Sequence, residues 1–222
     1  MNVGVIIVGI GQWEEYTKPL VLSIKEHEPN ATQIIVNNGC RYTSSDIKNS
    51  LNVFTCNVWK GLDTIKPVSY AEAINSGIKR AVNVFSYKTP DWIIITNNDV
   101  ICNAPFIEYL ETLDTNSLYG NKIHTSHKVF KSPTPWIDGW IYAIPYNILT
   151  HVGLWDKKFK IAGFEDADYC IRAYYKGFTT KKSNLPFTHL EEHIRKSFED
   201  YAKYKRENIE YLIEKHGLER VK

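Results

Sequence analysis

The stretch VGVIIVGI, from Val3 to Ile10, is a continuous apolar run rich in β-branched residues. Such a run is typical of a strand buried on both faces of a parallel sheet. Further short apolar runs follow at Gln33–Val36, Val53–Cys56 and Asp91–Thr96, and Tyr70–Phe85 has apolar residues at helical spacing. Because these strands alternate with a helix, the sequence predicts an α/β layer with a mostly parallel sheet flanked by helices.

The remaining predicted elements do not follow a regular alternation of strand and helix. Predicted helices lie at Pro19–His27, Phe106–Leu113, Tyr146–Val152 and Phe198–His216, predicted strands at Trp140–Ile144 and Lys181–Phe187, and a loop at Lys131–Pro135. Gly217 is expected to end the last helix. The sequence has no internal repeat, low-complexity tract or linker, so we predict one domain over residues 1–222.

Composition narrows the class of protein. The balance of 43% hydrophobic and 23% charged residues is that of an ordinary globular domain. A net charge of +2 without a Lys/Arg block gives no indication of nucleic-acid binding. No window has the length of a transmembrane segment, and the first apolar run lacks the flanks of a signal peptide. The four cysteines are scattered, so we expect reduced thiols and a cytoplasmic protein, with peripheral membrane contact left open.

Polar or glycine-rich turns follow three of the predicted strands. They are Gly9–Gln12, Asn37–Cys40 and Asn97–Asp99. In open α/β sheets, ligands bind beyond the carboxyl ends of the strands, where these turns would meet. The pattern favours a nucleotide site at this edge, and the alternative is three ordinary loops.

An acidic cluster occurs in GFEDADYCIRAYYKGF, residues 163–178. Glu165, Asp166 and Asp168 follow a glycine at a predicted helix start, where the unpaired N–H groups favour negative charge. Three neighbouring carboxylates also repel one another, which is typical of a functional site. The alternative is a plain helix start in which Asp168 pairs with Arg172 one turn later.

Six segments together resemble the family 2 glycosyltransferases of the GT-A fold. VGVIIVGIGQ (3–12) resembles the opening strand and nucleotide loop of that family, and IIVNNGC (34–40) its second strand. AINSGIKRA (73–81) resembles the A-x-N-x-G-I helix, and DWIIITNNDV (91–100) the strand that leads into a DxD-type metal motif. VGLWDKKFKIAGFEDADYCIRAYYKGF (152–178) is similar to the long run that ends in EDxDxCxR and G-Y/F. RENIEYLIEKHG (206–217) is similar to the closing Asn…Lys-x-Gly helix.

The resemblance implies catalytic and metal-binding roles. Asp166 would be the general base that takes the proton of the acceptor hydroxyl, and Glu165 would bind the acceptor or tune Asp166. Asp99 would hold a divalent cation, Mn²⁺ or Mg²⁺, on the donor diphosphate. His189 is expected as a late metal or diphosphate contact, with His193 as the second choice.

The resemblance also implies a division of the domain. Residues 1–100 would form the nucleotide-sugar half, 101–195 the acceptor and catalytic half, and 196–217 the closing helix. Gly9, Asn37, Asn75 and Asn97 would contact the donor. Asn37 stands where the family usually has Asp, and the Gly9 loop differs from its usual Pro-Thr-Tyr-Asn, so the nucleotide is left open.

The implied function is transfer of a hexosyl or deoxyhexosyl group from a nucleotide sugar to a glycan, lipid-linked or protein-linked acceptor, with inversion. A sugar-phosphate nucleotidyltransferase shares the sheet, but the loop after the first strand has no basic residue for a triphosphate. A dehydrogenase would need a third glycine after Gly9-x-Gly11. The alternative of an inactive sugar-binding or structural protein with the same fold is supported by Asn37 and Asn97, which replace carboxylates. The retention of Asp99, Asp166 and His189 argues against it.

Overall fold

The computed structural model describes residues 1–39, 52–58, 67–86, 88–190 and 200–221. The expectations for Cys40, His193 and the helix start at Phe198 lie outside these residues. In the described chain the helices are α1 Lys18–His27, α2 Tyr70–Val84, α3 Ile107–Glu111, α4 Tyr146–Val152, α5 Glu165–Tyr175 and α6 Tyr201–His216. A π-helical turn, Trp13–Thr17, leads into α1 and was not expected from the sequence.

Eleven strands occur among the described residues. They are β1 Val3–Gly9, β2 Thr32–Asn37, β3 Val53–Asn57, β4 Trp92–Asn97, β5 Val100–Cys102, β6 Ser117–Gly120, β7 Ile123–His124, β8 Trp136–Ile137, β9 Ile141–Pro145, β10 Thr179–Lys182 and β11 Phe187–His189. Seven of them form one sheet in the order β10-β6-β9-β4-β1-β2-β3. β1, β2, β3 and β4 run parallel, and β9 runs antiparallel between β4 and β6. The predicted mostly parallel α/β sheet is therefore confirmed.

The main sheet is covered on both faces. Along β1, Ile6 and Val8 face a core shared with α2, α4 and α5, while Val5 and Ile7 face a core shared with α1 and α3. All four side chains are buried. This arrangement explains why β1 is a continuous apolar run and not an alternating one.

Helix α2 lies close against the sheet because of one glycine. A Cβ atom at Gly77 would lie 2.5 Å from Ile6 Cγ2 and 2.7 Å from Val36 Cγ2. Ser69 caps the helix by accepting a hydrogen bond from the Glu72 amide. The predicted apolar face is confirmed at most positions, but Val82 is 43% exposed.

One predicted strand is wrong. Lys181–Phe187 was expected as a single strand, but β10 ends at Lys182, and Phe187 begins β11 in a different sheet. β10 pairs with β6, and β11 pairs antiparallel with β5. Pro186 lies in the break between the two strands, and a proline has no N–H to donate to a ladder.

Candidate functional site

A cleft lies at the carboxyl ends of β1 and β4. It encloses about 860 Å³, including the part open to solvent. The carboxylate and imidazole side chains that line it come from three segments of the chain: Asp99 after β4, Glu165 and Asp166 at the start of α5, and His189 at the end of β11. The fold therefore brings together the residues that the sequence predicts as catalytic and metal-binding.

Asp99 and His189 form a pair at the inner part of the cleft. Asp99 Oδ1 lies 3.3 Å from His189 Nε2, and both atoms are shielded from solvent without a hydrogen-bond partner among the described residues. The antiparallel pairing of His189 with Val100 and a hydrogen bond from the Leu190 amide to the Asp99 carbonyl fix their spacing. The His189 ring also stacks on Trp140, with ring centroids 5.1 Å apart.

This pair fits a divalent cation. Carboxylate oxygen and imidazole nitrogen are both metal ligands in proteins, and leaving two such buried atoms without partners is costly unless a ligand satisfies them. Among the residues that the structure describes, no group of three or more His, Cys, Asp or Glu side chains could hold a metal by itself. A cation here would therefore complete its coordination with oxygens from a ligand or water.

Asn97 and Asn98 line the cleft beside Asp99. Tyr70 donates a hydrogen bond of 2.7 Å to Asn97 Oδ1 and approaches the Gly139 carbonyl at 3.2 Å. Asn98 is fully buried, and its amide donates to Thr17 Oγ1 at 2.9 Å. Asn98 thus links the end of β4 to the turn that follows β1.

Asp166 has the electrostatics of a base. Burial raises its pKa from 3.8 to about 6, the nearby Asp138 carboxylate adds to the increase, and hydrogen bonds from the Ala167 and Gly139 amides oppose it. These amides donate to Oδ1 at 2.7 Å and to Oδ2 at 3.2 Å. A Cβ atom at Gly139 would come within 3.3 Å of the Asp166 carboxylate, so the glycine leaves room for it. A carboxyl group with this pKa can accept a proton near neutral pH.

Comparison with known proteins identifies the fold. No protein-family model and no curated protein matches the sequence. The structure is similar to Staphylococcus aureus TarS with a TM-score of 0.59 and 14% identity, covering 96% of this chain and 40% of TarS. It is also similar to the mannosyltransferase PcManGT from Pyrobaculum calidifontis, solved with GDP-Man and Mn²⁺, with a TM-score of 0.61, 11% identity and coverage of 96% of this chain and 63% of that one. This chain has the GT-A fold.

A third GT-A structure supports the same conclusion. The catalytic domain of Drosophila β1,4-galactosyltransferase 7, solved with xylobiose, has a TM-score of 0.56 and 14% identity, covering 93% of this chain and 80% of that one. At these identities the likeness shows the GT-A fold alone. The chain spans less than two thirds of the length of TarS and of the mannosyltransferase.

None of the other three predicted donor residues, Gly9, Asn37 and Asn75, is among the residues that line the cleft of this GT-A chain. Gly9 and Asn37 end neighbouring strands β1 and β2, and Asn37 donates to Asn57 Oδ1 at 3.1 Å. Asn75 is not brought to the cleft. Its amide group is bound on both sides by the Trp155 main chain, with two hydrogen bonds of 2.8 Å that tie α2 to the segment before α5.

Asp168 is a structural anchor in this GT-A chain. It is fully buried and accepts hydrogen bonds from Arg172 at 2.9 Å and from His216 at 2.8 Å, while Lys215 lies at 2.6 Å. Burial raises its pKa, but the bond from His216 and the charges of Arg172 and Lys215 outweigh that effect and hold the pKa below its usual value. The predicted Asp168–Arg172 pair is confirmed, and it also fastens α6 to α5.

Sequence reasoning missed three residues of the site: Tyr70, Trp140 and Gly139. The sequence pattern identifies Tyr70 only as the first residue of a helix and Trp140 only as part of a strand. Their signal is weak in a sequence, because an aromatic residue beside a strand end is more often part of a core.

Among the described residues, no helix is long and apolar enough to span a membrane.

Proposed function

We propose that this chain is a metal-assisted glycosyltransferase of family 2 type. It would move a hexosyl or deoxyhexosyl group from a nucleotide-sugar donor to a hydroxyl of a glycan, lipid-linked or protein-linked acceptor, with inversion at the anomeric carbon. The observation that carries the proposal is the shared cleft, where the Asp99–His189 pair and the Glu165–Asp166 pair come together from distant parts of the chain.

On the donor side, Asp99 and His189 would hold Mn²⁺ or Mg²⁺. The cation, when bound, offsets negative charge that develops on the departing diphosphate. Asn97, fixed by Tyr70, would contact the ribose or diphosphate, and Gly9 and Asn37 would contribute to the nucleotide pocket. Asn75 would act through the packing of α2, since its amide is committed to Trp155.

On the acceptor side, Asp166 would be the general base. Its carboxylate takes the proton of the acceptor hydroxyl as the oxygen attacks the anomeric carbon, which is a single in-line displacement and therefore inverts the configuration. The Ala167 and Gly139 amides hold the carboxylate in one orientation during this step. Buried Glu165 would bind the acceptor or help to keep the pKa of Asp166 high.

The pH dependence follows from the pKa of Asp166. The base must be ionised to accept a proton, so kcat/KM should rise as the pH increases through about 6 and then level off.

A screen of nucleotide sugars tests this function. Each donor would be incubated with the protein in Mn²⁺ and, as the matched control, in chelator, while thermal stability and release of the nucleoside diphosphate are measured. We expect one donor class to raise the melting temperature and to be hydrolysed slowly, in both cases only with metal. A ligand present only on the folded state at a hundredfold excess over its Kd adds about 2.7 kcal/mol of stability.

Two additions to the screen separate the alternative functions: a panel of acceptor glycans, and a nucleoside triphosphate supplied with a sugar phosphate. Metal-dependent binding of a nucleotide sugar without hydrolysis or transfer would indicate an inactive binding protein, which Asn97 and Asn37 favour. Release of pyrophosphate from a nucleoside triphosphate and a sugar phosphate would indicate a nucleotidyltransferase. Either result would contradict the proposed transferase.

A further inference from the structure

The side chain of Asn208, in the middle of α6, binds main-chain groups of a neighbouring loop, residues 160–163. This side chain is 2% exposed, although it is polar. Asn208 Oδ1 accepts a hydrogen bond of 2.9 Å from the Lys160 amide. Its Nδ2 donates to the carbonyls of Lys160, Ala162 and Gly163 at 2.9, 3.4 and 3.0 Å. One buried amide therefore binds four of the eight main-chain N–H and C=O groups of residues 160–163.

The loop that Asn208 holds has a strained backbone. Ile161, Gly163 and Phe164 all have positive φ, at 53°, 106° and 69°. This conformation is a genuine outlier for a β-branched residue such as Ile161. Strain of this kind persists only where surrounding contacts enforce it, and such positions cluster at active sites.

The strained loop belongs to the cleft and leads directly into the proposed base. Residues 161–163 line the cleft, and Glu165 and Asp166 follow them as the first turn of α5. The Ile161 carbonyl also accepts a hydrogen bond of 2.6 Å from the Tyr70 amide at the start of α2. The backbone of the loop thus sets the direction in which α5 enters the cleft.

The position of Asn208 is itself fixed from the far end of α6. Lys215 and His216 bind Asp168 in α5, so α6 is fastened to the same helix that its Asn208 helps to place. Tyr211, one turn beyond Asn208, donates its hydroxyl proton to Asp156 Oδ2 at 2.7 Å and not to the strained loop.

We infer that Asn208 is a positioning residue, which holds the loop 160–163 in its strained conformation and thereby aims the Glu165–Asp166 turn into the cleft. The inference rests on the proposed function only in taking Asp166 as the group that is positioned for catalysis. Asn208 does not itself line the cleft and touches no reacting atom, so it acts through the loop.

Two substitutions test the inference. Asn208→Asp keeps the size and the acceptor oxygen but places a carboxylate against three carbonyls, and Asn208→Ala removes the contacts without adding charge. If the loop relaxes, the Asp166 carboxylate shifts from its position in the cleft. We therefore expect kcat to fall about 100-fold while donor affinity stays within about twofold of the parent. Hydrogen exchange of the amides in 163–167 should accelerate in both variants.

Tyr211→Phe is the matched control, because it loosens the same helix at a hydrogen bond to Asp156, which lies outside the loop 160–163. It should lower stability while leaving kcat and exchange in 163–167 near the parent values. Parent-like kcat and exchange in both Asn208 variants would overturn the inference. Equal effects of Tyr211→Phe would also overturn it, since helix docking in general would then explain the result.

Exchange separates this inference from the proposed function. If the parent protein transfers no sugar, the function fails, yet faster exchange confined to 163–167 in Asn208→Ala still supports the positioning role. If Asn208→Asp does not fold, Asn208→Ala decides by the same two measurements.

Discussion

Replacement of Asp166 by Asn should make the protein more stable and less active near neutral pH. Burial raises the pKa of Asp166 from 3.8 to about 6, so the folded state resists ionisation that the unfolded state permits. The folded state therefore binds more protons than the unfolded state between these pKa values, and stability falls as the pH rises through that window.

The magnitude follows from the two pKa values. A tenfold change in a protonation equilibrium corresponds to about 1.4 kcal/mol, so ionised Asp166 costs about 3 kcal/mol well above its folded pKa. Near pH 4.5 most of the folded carboxyl is protonated, and the cost falls to about 1 kcal/mol. The Asn amide keeps one acceptor for the Ala167 or Gly139 N–H but turns a donor toward the other, which costs about 1–2 kcal/mol at any pH.

Denaturant unfolding of parent and Asp166→Asn at the two pH values measures the effect. We expect Asn to stabilise the protein by about 1–2 kcal/mol near pH 7.5 and to lose that advantage near pH 4.5, so that the difference changes by about 2 kcal/mol. Sugar transfer by the same variant should fall by about 10²–10⁴-fold with donor binding retained, and Glu165→Gln should cost less.

Asp156→Asn is a control of opposite sign. Burial raises the pKa of Asp156, but hydrogen bonds from Lys215, the Lys158 amide and Tyr211 outweigh it and lower the pKa to about 2. Both its folded and unfolded pKa values lie below the tested range, so this substitution should lower stability almost equally at the two pH values. If Asp166→Asn shows the same flat response, the half-buried Asp166 carboxyl carries no ionisation cost and the reasoning is wrong.

Three further predictions concern the metal, the nucleotide and the packing of the sheet. Asp99→Ala should abolish Mn²⁺-dependent binding of the donor nucleotide in calorimetric titrations and leave the far-ultraviolet circular dichroism unchanged; parent-like binding would place the cation elsewhere. Asn37→Asp should alter the ranking of nucleotides in a binding panel more than it alters the melting temperature, and an unchanged ranking would place the base pocket away from β2. Gly77→Ala should lower the free energy of unfolding by about 1–2 kcal/mol, because the steric cost of the new methyl group against Ile6 and Val36 exceeds the gain in helix propensity. A stability equal to that of the parent would mean that α2 moves away from the sheet without cost.

The long periodic elements could be predicted from the sequence. β1 and α2 have patterns that extend over several residues, and the structure confirms them within one residue at most ends. β7 and β8 have two residues each and are defined by their pairing with each other, so their own residues contain too little pattern to predict them. The break between β10 and β11 escaped prediction because the two halves belong to different sheets.

The site shows the same division between local and long-range information. Asp99, Asp166 and His189 are polar residues at the ends of predicted elements, and the structure brings them to one cleft. Asn75 is a polar residue in a similar setting, but its partners are main-chain atoms of Trp155, eighty positions away in the sequence. The sequence contains no sign of that contact, and the same holds for the contact between Asn208 and its loop.

The short antiparallel pairing of β5 with β11 makes the spacing of Asp99 and His189 independent of the length of the chain between them. Pairing of His189 with Val100, and of Phe187 with Cys102, sets where His189 stands relative to Asp99. Insertions or deletions in exposed loops between these strands would leave that spacing unchanged, as long as both strands persist. Under the proposed function, the chain between these strands could therefore vary to fit different acceptors while the Asp99–His189 spacing stays the same.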